Sequence, residues 1–201
     1  VGPPLDRAGQ WLAARGISAN ALTAAGLGAG LACGAAIASG HYLTGVLWLG
    51  LSRLADGLDG AVARRTGLND FGGFADIVAD FVFYAAVPIG FAWVDPAANA
   101  LPAAVLLASF YLNAASFLGF AIIAAKRGMT TDRRGPKSLY VTTGLAEGSE
   151  TIAVFVAMLL APHWFGALAY GFALLCLVTC AARVALAARI FGADRRPPPQ
   201  A

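Results

Sequence analysis

Four aspartates, Asp56, Asp59, Asp76 and Asp80, fall in the pattern D-x-x-D-G-x-x-A-R from Asp56 to Arg64 and then G-x-x-x-D-x-x-x-D from Gly72 to Asp80. On a helix Asp56, Asp59 and Ala63 stand at i, i+3 and i+7 and share a face, and Asp76 and Asp80 at i and i+4 share another. Two helices presenting carboxylates to each other make an oxygen-rich site of the kind that hard divalent cations take. A pair of such cations is the usual apparatus of phosphoryl transfer. Gly60, next to Asp59, and Ala63, a turn further on, leave a shallow groove in which a flat ligand can approach the backbone. Arg64 follows, with a fork suited to a phosphate. Carboxylates, groove and arginine together suit a nucleotide diphosphate better than a bare ion. A cation or proton transporter using the same carboxylates is the alternative from another class. Such transporters often show inverted repeats and broken helices, and neither is evident in this sequence.

The elements that must position these residues are apolar. Of the 201 residues 59% are hydrophobic and 12% charged, where a soluble domain carries about 25% charge. A charged side chain in a membrane helix costs roughly 2.5–3.5 kcal/mol, so four aspartates need a compensating partner. Six runs have the roughly 20-residue length that spans a bilayer; they are expected near 19–39, 42–63, 70–93, 99–126, 143–161 and 164–192. The fold class expected is an all-α membrane protein of six transmembrane helices preceded by a short interfacial amphipathic helix. The 14 Lys and Arg residues lie at or near one side of this layout, and the turns around His41, Asp95 and His163 carry none. The positive-inside rule then puts both termini and the aspartates at the cytoplasmic face. A pI near 9.0 accordingly reads as membrane topology, and no nucleic-acid partner is expected, because no basic face interleaved with aromatics is present.

Residues 3–16 read as the interfacial helix, with Leu5, Trp11, Leu12 and Ala13 toward lipid and Asp6, Arg7, Gln10 and Arg15 toward water. The first span is rich in Gly and Ala, which lets helices approach closely. Cys33, Cys176 and Cys180 lie within spans and read as small packing residues rather than metal ligands. The basic connection 126–142, with Arg133, Arg134 and Lys137, suits anionic headgroups or the mouth of the site equally. Glu147 and Glu150 open the fifth span, where favourable interaction with the helix dipole is a sufficient reason for them; a place in an acceptor pocket is the functional alternative. Arg53 and Arg183 are basic residues inside spans and so should face a cavity or snorkel.

The aspartate pattern resembles the signature of the CDP-alcohol phosphotransferase family, the class I CDP-alcohol phosphatidyltransferases. Asp56, Asp59, Gly60, Ala63, Arg64, Gly72, Asp76 and Asp80 all match it. The resemblance runs over essentially the whole chain and is closest to small proteobacterial inner-membrane members of unclear acceptor. It implies a membrane enzyme of phospholipid synthesis that moves the phosphatidyl group of CDP-diacylglycerol to a small hydroxyl acceptor, a polyol phosphate such as glycerol 3-phosphate or another small alcohol, with release of CMP. A soluble CDP-alcohol donating to a lipid is the variant with roles reversed. The resemblance further implies two divalent cations, Mg²⁺ or Mn²⁺, on Asp56, Asp59, Asp76 and Asp80, with Asp80 also the base for the acceptor hydroxyl. Asn20, Thr23, Gly60, Ala63, Arg64 and Asn69 would surround the CDP moiety. Arg53, Arg133, Arg134, Lys137, Glu147, Glu150 and Arg183 are the acceptor-site candidates. The implied organisation is an interfacial helix over 1–17, a transmembrane domain over 18–193 and a disordered tail over 194–201. A homodimer in the bacterial inner membrane is the implied setting.

Overall fold

Glycine and proline punctuation divides the chain into helices, and in the computed structural model the described residues, 3–129 and 148–192, contain helices and no strand. They are α1 (Pro3–Ala14), α2 (Ala19–Ala38), α3 (Tyr42–Thr66), α4 (Asp70–Val94), α5 (Pro96–Lys126), α6 (Gly148–Leu160), a short 3-10 turn (Pro162–Trp164) and α7 (Phe165–Gly192). Gly16 and Gly40 take positive φ between the first three helices, and Gly67, at φ 107°, ends α3 where an L side chain would be strained. Ser18 caps α2 by accepting the Ala21 amide at 3.2 Å. Asn69 caps α4 by accepting the Gly72 amide at 2.6 Å.

Among the described residues, four helical segments are long and apolar enough to cross a membrane: Ala19–Ala38, Asp70–Val94, Pro96–Lys126 and Pro162–Gly192. Two of the six expected spans differ. The stretch 42–63 is a helix of sufficient length, but Arg53, Asp56, Asp59 and the Arg64–Arg65 pair interrupt the apolar character of α3. The stretch 143–161 is described from Gly148 onward, where α6 is an apolar helix of 13 residues. The basic connection around Arg133, Arg134 and Lys137, Glu147 and the tail 194–201 lie outside the described residues.

The chain forms two units. One comprises 1–103 and 155–166, and the other 104–154 and 167–201. In the first, α2 packs on both α3 and α4, and its small residues are the reason. A Cβ on Gly30 would stand 2.8 Å from the Phe83 ring, one on Gly34 2.8 Å from the Ala86 carbonyl oxygen, and one on Gly90 2.7 Å from the Gly34 carbonyl oxygen. On the α3 side, Gly26 faces Ala55, and Ser52 Oγ donates to the Gly26 carbonyl at 2.8 Å. Fully buried Phe83, Phe91, Phe155 and Phe165 fill the core of this unit, with Phe91 stacked on Phe165 at 4.2 Å between ring centres. In the second unit Phe110 meets Phe172 edge-on and Phe120 lies against Phe191. The cysteines are all free; Cys33 and Cys176 are buried in their helices, as the packing reading expects.

The N-terminal helix α1 packs on α3. Gly9 is buried with its α-carbon against Ala61, so closely that a Cβ would come within 2.6 Å of the Ala61 Cβ. Leu5 reaches over Gly57, and Asp6 meets Arg64 at 3.4 Å. Trp11 stays exposed, with the Arg15 guanidinium 3.4 Å above its ring. The apolar side of α1 is therefore divided between α3 and the surroundings.

Candidate active site

The site lies where α2, α3 and the first half of α4 converge. Asp56 and Asp59 come from adjacent turns of α3, and Asp76 from α4. One carboxylate oxygen from each of these three lies within 4.8 Å of the others. Three carboxylates this close repel one another unless a cation or hydrogen-bond donors intervene. The donors present are specific. Thr23 Oγ1, on α2, donates to Asp59 Oδ2 at 2.6 Å, and Asp59 is buried. The fourth aspartate, Asp80, accepts from Arg53 NH1 at 3.0 Å through Oδ1. The same NH1 is 3.6 Å from Asp56 Oδ2. Arg53 NH2 donates to Ser52 Oγ at 3.2 Å, and the guanidinium lies 4.6 Å above the Phe83 ring. All four aspartates, with Thr23, Ser52 and Arg53, line one narrow cavity. An all-oxygen, net-acidic donor set of this kind fits a hard divalent cation.

Beside it opens a larger cleft of about 150 Å³, lined by Ala19, Asn20, Thr23, Asp59, Gly60, Ala63, Leu68, Asn69, Gly72, Gly73 and Asp76. Five residues expected at the CDP moiety, Asn20, Thr23, Gly60, Ala63 and Asn69, are thus brought together, and Thr23, Asp59 and Asp76 belong to both cavities. The sixth, Arg64, extends over Gly60, its NH1 3.4 Å from where a Cβ would be, and pairs with Asp6. Gly72 packs closely here: a Cβ there would be 3.1 Å from Asn20 Oδ1, which would have to give by a few tenths of an ångström.

The acceptor-site candidates fall in different places. Arg53 lies among the aspartates. Glu150 is exposed in the first turn of α6, with Ser149 Oγ 3.0 Å from Oε2, and belongs to the second unit. Arg183, in the same unit, donates from NH1 to Asn113 Oδ1 at 2.9 Å, the Asn113 carbonyl at 3.1 Å and Ser116 Oγ at 2.7 Å. Its guanidinium lies 5.5 Å from the Phe117 ring centre. Arg133, Arg134, Lys137 and Glu147 are outside the described residues. Ser52, buried between the Gly26 carbonyl and Arg53, went unrecognised in the sequence. The available signal was its place beside an arginine inside an apolar run.

The carboxylate cluster thus opens into a glycine-lined cleft formed by α2, α3 and α4, and the family match makes the chain a transferase of substituted phosphate groups. The chain belongs to the CDP-alcohol phosphatidyltransferase family, whose profile matches residues 17–182. Members join CDP-linked donors and alcohol acceptors and use divalent cations. The chain is 44% identical over 169 residues to inner membrane protein YnjF of Escherichia coli (strain K12), an alignment covering 84% of this chain and 82% of that protein. It is also 39% identical over 94 residues, 46% of this chain and 50% of the other, to archaetidylinositol phosphate synthase of Pyrococcus horikoshii. No solved structure matches the chain significantly.

Proposed function

We propose that this protein transfers the phosphatidyl group of CDP-diacylglycerol to a small hydroxyl acceptor and releases CMP. The observation that carries the reading is the shared wall of the two cavities. Thr23, Asp59 and Asp76 touch both the carboxylate cluster and the cleft of Asn20, Gly60, Ala63 and Asn69. A nucleotide in that cleft would present its diphosphate to the aspartates.

In this reading Asp56, Asp59, Asp76 and Asp80 hold two divalent cations, Mg²⁺ or Mn²⁺. When bound, they neutralise the diphosphate and stabilise the charge that develops on the departing CMP. The chain's own residues do the rest. Asn20, Asn69 and the open backbone at Gly60 seat the nucleotide, and Arg64 grips a phosphate once it turns from Asp6. Thr23 fixes the rotamer of Asp59, so one carboxylate is oriented before substrate arrives. Asp80 accepts the proton of the acceptor hydroxyl as its oxygen forms the new bond to the lipid-linked phosphorus. The bond from that phosphorus to CMP breaks, and its electrons leave with CMP.

A polyol phosphate such as glycerol 3-phosphate is the acceptor class favoured. The likeness to archaetidylinositol phosphate synthase supports it. The setting we propose is a bacterial inner membrane, spanned six times with α3 and α6 as second and fifth spans. Both termini and the aspartates face the cytoplasm, α1 lies along the interface, 18–193 form the transmembrane domain, and the enzyme works as a homodimer.

The deciding experiment offers purified protein CDP-diacylglycerol, Mg²⁺ or Mn²⁺, and a mixture of glycerol 3-phosphate, serine, inositol, inositol phosphate, choline and glycerol. Mass spectrometry should find CMP and one new phosphatidyl product, both lost on chelation. No CMP with any acceptor would sink the proposal. A labelled soluble CDP-alcohol entering the lipid phase would instead favour reversed roles.

A further inference from the structure

Arg53, an acceptor-site candidate from the sequence, lies among the aspartates. Its NH1 lies 3.0 Å from Asp80 Oδ1 and 3.6 Å from Asp56 Oδ2, so one guanidinium nitrogen bridges carboxylates from two helices. This places a full positive charge against two of the four groups read above as metal ligands, and the inference rests on that reading. At such separations and partial burial a guanidinium and a divalent cation on the same carboxylates repel strongly.

Two further observations say what holds Arg53 there. Its Nε is buried with no hydrogen-bond partner, so the conformation that reaches the aspartates leaves a donor unsatisfied. Such a donor is unfavourable when buried, which means the carboxylates, rather than complete local satisfaction, fix this rotamer. The other contacts of the guanidinium are neutral: Ser52 Oγ, itself anchored on the Gly26 carbonyl, and the fully buried Phe83 ring. They would keep the side chain within the bundle if the carboxylates turned to another cation.

We propose that Arg53 competes with the divalent cations for Asp80 and Asp56, so that Asp80 is released to the reaction only as the metal loads. Arg53 is then a positioning residue that acts through Asp80. It orders the sequence of events, because the group that takes the acceptor's proton is occupied until the cations that activate the donor have arrived. The same pairing neutralises carboxylates that are costly to leave unpaired within a helix bundle.

The test is Mn²⁺ binding to detergent-purified protein, followed by the electron paramagnetic resonance signal of free Mn²⁺, with thermal unfolding recorded beside it. Arg53→Gln should bind Mn²⁺ tighter than wild type by ~10-fold or more, and its melting temperature should rise more on adding Mn²⁺. Arg53→Lys keeps a charge but loses the planar fork. It should tighten Mn²⁺ binding by a smaller factor, and its sign decides the matter if Arg53→Gln does not fold. Unchanged Mn²⁺ affinity with only a raised KM for the acceptor would overturn the proposal and return Arg53 to the acceptor pocket. Weaker Mn²⁺ binding would overturn it too, making Arg53 a structural prop of the cluster. If wild type itself bound no Mn²⁺, the metal reading of the aspartates would fall, and this inference with it.

Discussion

At the scale of the residue, the four aspartates do not share one environment. Asp59 is buried and held by Thr23 at 2.6 Å, Asp56 and Asp76 converge with it, and Asp80 is tied to Arg53. Identical side chains thus enter the chemistry on unequal terms. Gly60 is the residue where binding and folding separate most cleanly. A Cβ there would meet nothing within 4 Å except the mobile end of Arg64, at 3.4 Å. Gly60→Leu should therefore fold, with stability changed by no more than about 0.5 kcal/mol, while the isobutyl group fills the cleft. Steady-state kinetics should show the KM for the CDP-linked donor raised ~10-fold or more, equivalent to about 1.4 kcal/mol of lost binding. A variant with unaltered donor KM would exclude this cleft as the nucleotide site. The positions of the aspartates were legible because helical spacing alone puts i, i+3 and i+4 on one face. Arg53's partner was not, since the contact joins residues 27 apart in sequence.

At the scale of the element, glycine decides where the helices cross. Gly30 and Gly34 bring α2 onto α4 at distances that leave no room for a Cβ, and Gly26 packs closely against Ala55 of α3; this packing carries Thr23 to Asp59. The amphipathic character of α1 is evident from its sequence, but periodicity reports only that one face avoids water. It cannot tell lipid from another helix, and here Gly9 and Leu5 go to α3. Gly9→Leu should force α1 off α3, because even a Cβ would come 2.6 Å from the Ala61 Cβ. Overpacking of this kind costs about 1–3 kcal/mol. The expected readouts are a lower unfolding temperature in detergent and faster proteolysis before Gly16. Asp6 would leave Arg64 at the same time, so a gain in donor affinity alongside the lost stability would show that this pair restrains Arg64.

At the scale of the whole molecule, the charge asymmetry is what makes orientation testable. The turns at His41, Asp95 and His163 have no Lys or Arg, while Arg64, Arg65, Lys126 and Arg127 lie at the opposite helix ends. A green fluorescent protein fused to the C-terminus should fluoresce in bacteria, and alkaline phosphatase fused there should be inactive. Inserted after Asp95, alkaline phosphatase should be active. An active C-terminal phosphatase fusion would mean an odd number of spans or an inverted protein. The count is the demanding part: α3 carries Arg53, Asp56 and Asp59, so a helix that supplies two of the clustered carboxylates is one whose hydropathy does not announce a span. A span rich in charge is stable in a membrane only where its polar face meets partners, and among those partners are Thr23 on α2, which donates to Asp59, and Asp80 on α4, which pairs with Arg53.

The sequence by itself determined the helical class, the abundance of membrane-length segments, the aspartate signature and the family. All of these rest on local spacing and composition, which survive without knowledge of what packs on what. Only the tertiary structure decided that three aspartates cluster while Asp80 holds Arg53, that α1 rests partly on α3, and that Arg183 is satisfied by Asn113 and Ser116. Those outcomes depend on which helices glycine allows to touch and on which of several nearby donors each charge finds. Both are properties of residues distant in the chain and adjacent in space.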